Sequence, residues 1–106
     1  MTNSELFWAI AADLQAQDPR VVEGTLMKGR CLRVGKEFLA LADYKGGGMV
    51  VKLNRMRVEH MIAYGGGRPF APAGRMFKEW VELPEPDGER WAEVLREGVA
   101  LAVGRG

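Results

Sequence analysis

The stretch Arg30-Cys31-Leu32-Arg33-Val34-Gly35-Lys36-Glu37-Phe38-Leu39-Ala40-Leu41-Ala42-Asp43 decides the fold. Residues 30–34 alternate between polar and apolar side chains, the period of a strand with one buried face. Gly35-Lys36 is a two-residue turn signal, and residues 37–43 continue as a second strand. So short a connection joins antiparallel neighbours, because a parallel crossover needs a dozen residues or more. Residues 21–25 read as an extended entry strand. Tyr44-Lys45-Gly46-Gly47-Gly48 reads as a second turn, opening Met49-Val50-Val51-Lys52-Leu53. The centre of the chain is therefore an antiparallel meander.

Helical patterns flank it. Thr2-x-x-Glu5 is a capping box, and Leu6, Phe7, Ile10 and Leu14 recur at helical spacing over about 4–16 until Asp18-Pro19. Asn54 caps a second helix over about 55–64, with Met56 or Val58, Met61 and Ile62 facing inward. The triplet Gly65-Gly66-Gly67 supplies the positive-φ residue that ends it. Residues 68–74 contain Pro69 and Pro72 and read as irregular loop. Residues 75–83 read as a last strand, with Phe77, Val81 and Leu83 on the core face and Met76, Lys78, Trp80 and Glu82 on the other. Pro84 and Pro86 break it. Asp87 then starts a closing helix over about 88–103, striped by Trp91, Val94, Leu95, Val99 and Ala102. The expectation is one α+β domain over residues 1–106, a two-layer sandwich. Its antiparallel sheet carries helices on one face, in the order α-β-β-β-α-β-α.

Composition narrows the chemistry. The 106 residues are 47% hydrophobic and 27% charged, as in an ordinary globular domain. Cys31 is the lone cysteine, which excludes an intramolecular disulfide and a cysteine zinc site and suits a reducing compartment. The first residues lack a basic n-region, Asp13 interrupts their apolar pattern, and no run approaches a membrane span. A cytoplasmic location away from membrane is expected. Ser4 is the only serine, Thr2 and Thr25 the only threonines, and His60 the only histidine. A Ser-His-Asp site would have to use Ser4 among helix-start signals, and a multi-histidine metal site is impossible. A Cys31/His60 pair would need the fold to join a strand-like apolar position to an amphipathic helix. The expectation is a non-enzymatic protein with no catalytic residues, metal or cofactor.

The glycines and carboxylates fit that reading. Gly24-Thr25-Leu26-Met27-Lys28-Gly29-Arg30-Cys31 has the glycine spacing of a phosphate loop but lacks the Lys-Ser/Thr that follows. Glu82, Glu85, Asp87 and Glu89 invite a hard-cation reading. Asp87 and Glu89 are better explained as acids at a helix N-terminus, where the dipole favours them.

Several of these segments together resemble a family. The run Met27-Lys28-Gly29-Arg30-Cys31-Leu32-Arg33-Val34-Gly35-Lys36-Glu37-Phe38-Leu39-Ala40-Leu41 is similar to the opening of the TfoX N-terminal domain. Gly66-Gly67-Arg68-Pro69-Phe70 resembles that family's Gly-x-Pro-Phe loop. Met76-x-x-x-Trp80-Val81-x-Leu83-Pro84 resembles its final strand. The likeness covers about residues 20–103 and departs at Lys28 and Arg30, where an aromatic and a second glycine are usual. It implies a sandwich shared with MmcQ/YjbR-like proteins, no catalytic residues, and a regulatory or nucleic-acid-associated role.

Charge locates the candidate site. The net +1 divides into −3 over residues 1–27, +8 over 28–78 and −4 over 79–106. A basic middle segment can steer an anionic partner despite the near-zero sum. Arg33, Lys52, Lys78 and Trp80 are expected on the sheet face opposite the core, with Arg55 and Arg57 at the adjoining helix start. Such a face suits nucleic acid or an acidic protein surface, with Trp80 stacking on a base. The alternative is a protein adaptor or homodimer using Met76, Trp80 and residues 68–74, or a Trp80 that simply covers the outer sheet face.

Overall fold

The computed structural model describes residues 1–26, 28–42 and 47–105. It contains the helices α1 (Asn3–Gln17), α2 (Arg55–Ala63) and α3 (Gly88–Arg105). Its strands are β1 (Val21–Leu26), β2 (Gly29–Val34), β3 (Glu37–Ala42), β4 (Met49–Lys52), β5 (Arg68–Pro69) and β6 (Trp80–Leu83). The six strands form one sheet in the order β1-β2-β3-β4-β6-β5, with every neighbouring pair antiparallel. This is an α+β two-layer sandwich, a sheet with three helices against it.

Local chemistry sets the element ends. At α1 the Thr2 hydroxyl accepts the Glu5 N–H at 3.0 Å and the Glu5 carboxylate accepts the Thr2 N–H at 2.9 Å. The box satisfies two otherwise orphaned groups. The Asn54 side chain accepts the Arg57 N–H at 2.8 Å to open α2, which gives way at Gly65, φ +82°. The Asp87 carboxylate accepts the Arg90 N–H at 3.1 Å and opens α3. Gly35, at φ +58°, occupies the first central position of the β2–β3 turn, where primed hairpin turns favour glycine.

The main core lies between sheet and helices. Phe7, Ala11 and Leu14 of α1, Val58 and Met61 of α2, and Trp91, Val94, Leu95 and Ala102 of α3 pack on Leu32, Val34, Leu39, Val51, Val81 and Leu83. Fully burying a side chain of this size contributes about 1.5–3 kcal/mol, so this layer dominates stability. A second cluster occupies the opposite sheet face: Cys31, Leu41, Val50 and Phe70, flanked by Leu26, Phe38 and Trp80.

Four expectations need correction. The entry strand at residues 21–25 is present as β1, so four strands rather than the three of the expected order precede α2. The last strand begins at Trp80 rather than residue 75, because the Trp80 N–H donates to the Phe77 carbonyl at 3.1 Å and turns the chain there. Phe77 consequently misses the main core and stands edge-on to Phe70, with centroids 5.7 Å apart. Residues 68–69, expected as loop, pair with β6 through Arg68↔Glu82 and Pro69↔Val81; an edge position tolerates a proline that has no N–H to donate. In α2 it is Val58 that turns inward, leaving Met56 80% exposed. Of the expected turn at 44–48, residues 44–46 lie outside the described residues.

Candidate nucleic-acid interface

The outer sheet face is built by strand alternation and one irregularity. The β2–β3 register runs Val34↔Glu37 and Arg33↔Phe38, then shifts so that Leu32 faces Ala40. Leu39 is the extra residue, and Leu39 and Ala40 both join the helix-side core. A β-bulge of this kind inverts the alternation downstream. Phe38 and Leu41 therefore both reach the outer cluster, three residues apart.

Pairing then places side chains in a stepped row across the strands. Val22 faces Arg33, Arg33 faces Phe38, and Lys52 faces Trp80. Phe38 and Trp80 flank the same outer cluster. From β2 to β6 these side chains are Arg33, Phe38, Lys52 and Trp80, in two facing pairs; the β3–β4 register (Ala40↔Val51) sets Lys52 one residue out of line with Phe38. Beside them runs the buried floor of Cys31, Leu41 and Val50.

Each side chain has a physical setting. Arg33 lies flat across β1 at Gly24, where any Cβ would collide with its Cδ. Its guanidinium carbon stands 5.8 Å from the Phe38 centroid, and its Nε is buried without a hydrogen-bond partner among the described residues. Lys52 reaches Glu37 at 3.5 Å, a long ion pair whose lysine side chain is mostly buried. The Trp80 ring is half-buried, tilted against Phe70 with centroids 6.3 Å apart.

The six expected site residues do not gather in one place. Arg33, Lys52 and Trp80 share the outer face, and Lys78 is exposed two residues ahead of Trp80. Arg55 pairs along its own helix with Glu59 at 3.0 Å. Arg57 crosses to Glu97 of α3 at 2.8 Å and so belongs to the helix layer. Phe38 was absent from the sequence candidates. The Gly35-Lys36 turn carried the signal for it, since a two-residue hairpin sets Arg33 opposite Phe38.

Other chemistry finds less support in the geometry. Cys31 is fully buried, and burial pushes its thiol above the ordinary range, which leaves little thiolate. His60 is exposed on α2 beside Arg57 and Tyr64. Gly65–Gly67 line a cavity of about 340 Å³ with Arg68, Glu85, Asp87 and Arg90. Its Gly65 and Gly66 N–H groups already donate to the Ile62 and Met61 carbonyls. Arg68 is engaged by Glu82 and Arg90 by the Tyr64 hydroxyl. No three His, Cys, Asp or Glu side chains converge as metal ligands among the described residues. No helix among them is long and apolar enough to cross a membrane.

Compared with known proteins, the chain matches no family model, no curated protein and no solved structure, and the likeness to the TfoX N-terminal domain gains no support from these comparisons.

Proposed function

We propose that this chain is a non-enzymatic binding module that holds single-stranded nucleic acid on the sheet face away from its helices. The observation that carries the reading is the stepped row Arg33, Phe38, Lys52, Trp80. Aromatic faces stack on any unpaired base, and the cations between them contact the backbone phosphates. Neighbouring strands are about 4.8 Å apart, so a row from β2 to β6 spans roughly 14 Å, room for two or three nucleotides. A duplex hides its base faces, and this surface offers no helix to a major groove. The resemblance noted above makes a regulatory setting the natural one.

Anisotropy with labelled oligo-dT and oligo-U at low salt tests the reading. Single strands should bind more tightly than duplex, with log affinity falling against log salt with a slope of about −1.4 for the two phosphate contacts of Arg33 and Lys52. Trp80→Ala and Phe38→Ala should each cost about 1–3 kcal/mol of binding. Arg55→Ala and Arg57→Ala, lying away from the row, should change affinity less than about twofold. Absence of binding at low salt sinks the proposal, as does a loss at Arg57→Ala equal to that at Trp80→Ala.

A second reading, a protein-docking surface, rests on the exposed Met76 and Phe77 beside Trp80. It would be favoured if Met76 and Phe77 substitutions abolished capture of a protein partner while oligonucleotide affinity was nil.

A further inference from the structure

The two edges of the sheet are treated differently. β5 is two residues long and contains Pro69. Shortness and proline are common ways of blocking pairing with another chain. β1 ends the sheet on the other side with six residues, Val21-Val22-Glu23-Gly24-Thr25-Leu26, paired without a register break to β2 alone. It holds no Lys and no Pro, and Glu23, its one charge, is neutralised by Arg30 at 2.8 Å. Val22 is exposed on it.

The main-chain groups of this edge can be assigned. The Gly35 N–H donates to the Arg20 carbonyl at 3.1 Å, continuing the β1–β2 ladder by one pair. Hydrogen-bonded pairs alternate in an antiparallel ladder. Even-numbered residues of β1 therefore turn their N–H and C=O to β2, and Glu23 and Thr25 turn theirs outward.

We propose that β1 pairs antiparallel with β1 of a second copy of this chain, about a two-fold axis at Gly24, so that two sheets become one. A two-fold axis normal to a sheet requires one residue to face itself. With Gly24 on the axis, Glu23 and Thr25 exchange their outward hydrogen bonds with Thr25 and Glu23 of the second copy. An acid then faces a hydroxyl, and Val22 faces Leu26 on the outer surface. With Glu23 on the axis two carboxylates would stand opposite each other, an unfavourable cross-strand pair. With Val22 or Thr25 there, less of the strand overlaps. The two Arg33 side chains, each lying across Gly24, approach near the axis and oppose the pairing. The dimer is therefore weak and concentration-dependent.

Sedimentation equilibrium on the full chain without nucleic acid, from micromolar to millimolar concentration, tests this. The mass should rise from 11.7 kDa towards twice that value. Thr25→Pro removes an outward N–H without touching the β1–β2 ladder, and Val22→Lys places a charge against the second copy's Leu26. Both should stay monomeric with unchanged circular dichroism. Amide exchange at Glu23 and Thr25 should slow several-fold as concentration rises. A mass of 11.7 kDa throughout overturns the pairing. So does a dimer that survives Val22→Lys with exchange at Glu23 and Thr25 unchanged. A chain that stays monomeric yet binds oligonucleotide removes this inference alone and leaves the proposed function standing.

Discussion

Asp18 shows how much one side chain settles where α1 hands over to β1. Its carboxylate accepts the Arg20 guanidinium at 2.8 and 3.0 Å and the Arg20 N–H at 3.0 Å, while its own N–H donates to the Leu14 carbonyl. The Arg20 side chain, followed by its backbone N–H, lowers the Asp18 carboxyl from 3.8 to about 2. A carboxyl depressed by folding adds stability that is fully present above its unfolded value and is lost as pH falls through the folded one. Asp18 should therefore contribute to the acid limb between about pH 4 and pH 2. Urea midpoints measured across that range should fall less steeply for Asp18→Asn than for the parent chain, with a lower midpoint for the variant at neutral pH. Equal slopes would mean the junction is held by packing alone. The pairing was hard to see in the sequence, where Asp18-Pro19 reads only as a helix stop.

At the scale of elements, α3 and the sheet meet at a point fixed by a missing side chain. Gly98 is buried, and a Cβ there would stand 2.8 Å from the Leu39 Cδ1, 3.3 Å from the Val51 Cγ2 and 3.4 Å from the Lys52 carbonyl. Two effects compete in Gly98→Ala. Helix propensity gains about 1 kcal/mol, while overpacking a close interface costs about 1–3 kcal/mol. Packing should win, with a net loss of about 1 kcal/mol by denaturant titration. Gly104 lies on the same helix with open space around its Cβ position, so Gly104→Ala should be neutral or stabilising by up to about 1 kcal/mol. Opposite signs for the two variants distinguish packing from propensity. The apolar stripe of α3 was legible because Trp91, Val94, Leu95 and Ala102 keep helical spacing. Gly98 was not, since nothing in a local pattern says which glycine another layer will approach.

For the whole molecule, the loop between α2 and β6 adds a partial third layer. Phe70 is buried over Cys31, Leu41 and Val50, with Phe77 and Trp80 against it. Phe70→Ala should cost about 3 kcal/mol, the usual scale for a buried ring. It should also uncover Cys31, whose alkylation in the parent chain should proceed only at the rate of global unfolding. If Cys31 reacts quickly in the parent chain, the loop opens by itself and the layer is not part of the cooperative unit. Charge is also redistributed at this scale. The +8 segment at residues 28–78 is partly neutralised by the acidic ends of the chain through Arg30–Glu23, Arg57–Glu97 and Arg68–Glu82. Three of the segment's cations are thus matched by carboxylates from the acidic ends of the chain.

By itself, the sequence determined much of what short-range chemistry carries. The meander came from the period of two and the Gly35-Lys36 turn. The helix starts came from Thr2, Asn54 and Asp87, and the enclosing helices from their apolar stripes. These features depend on groups within a few residues of one another, where a hydrogen bond or a steric preference acts regardless of the rest of the chain. Tertiary structure alone decided which face each strand residue took beyond the Leu39 bulge. It also decided that Arg57 would turn to Glu97, that Phe77 would leave the main core for Phe70, and that Arg33 would lie over Gly24. Each of these depends on a partner distant in sequence, and only closing the sheet brings the two together.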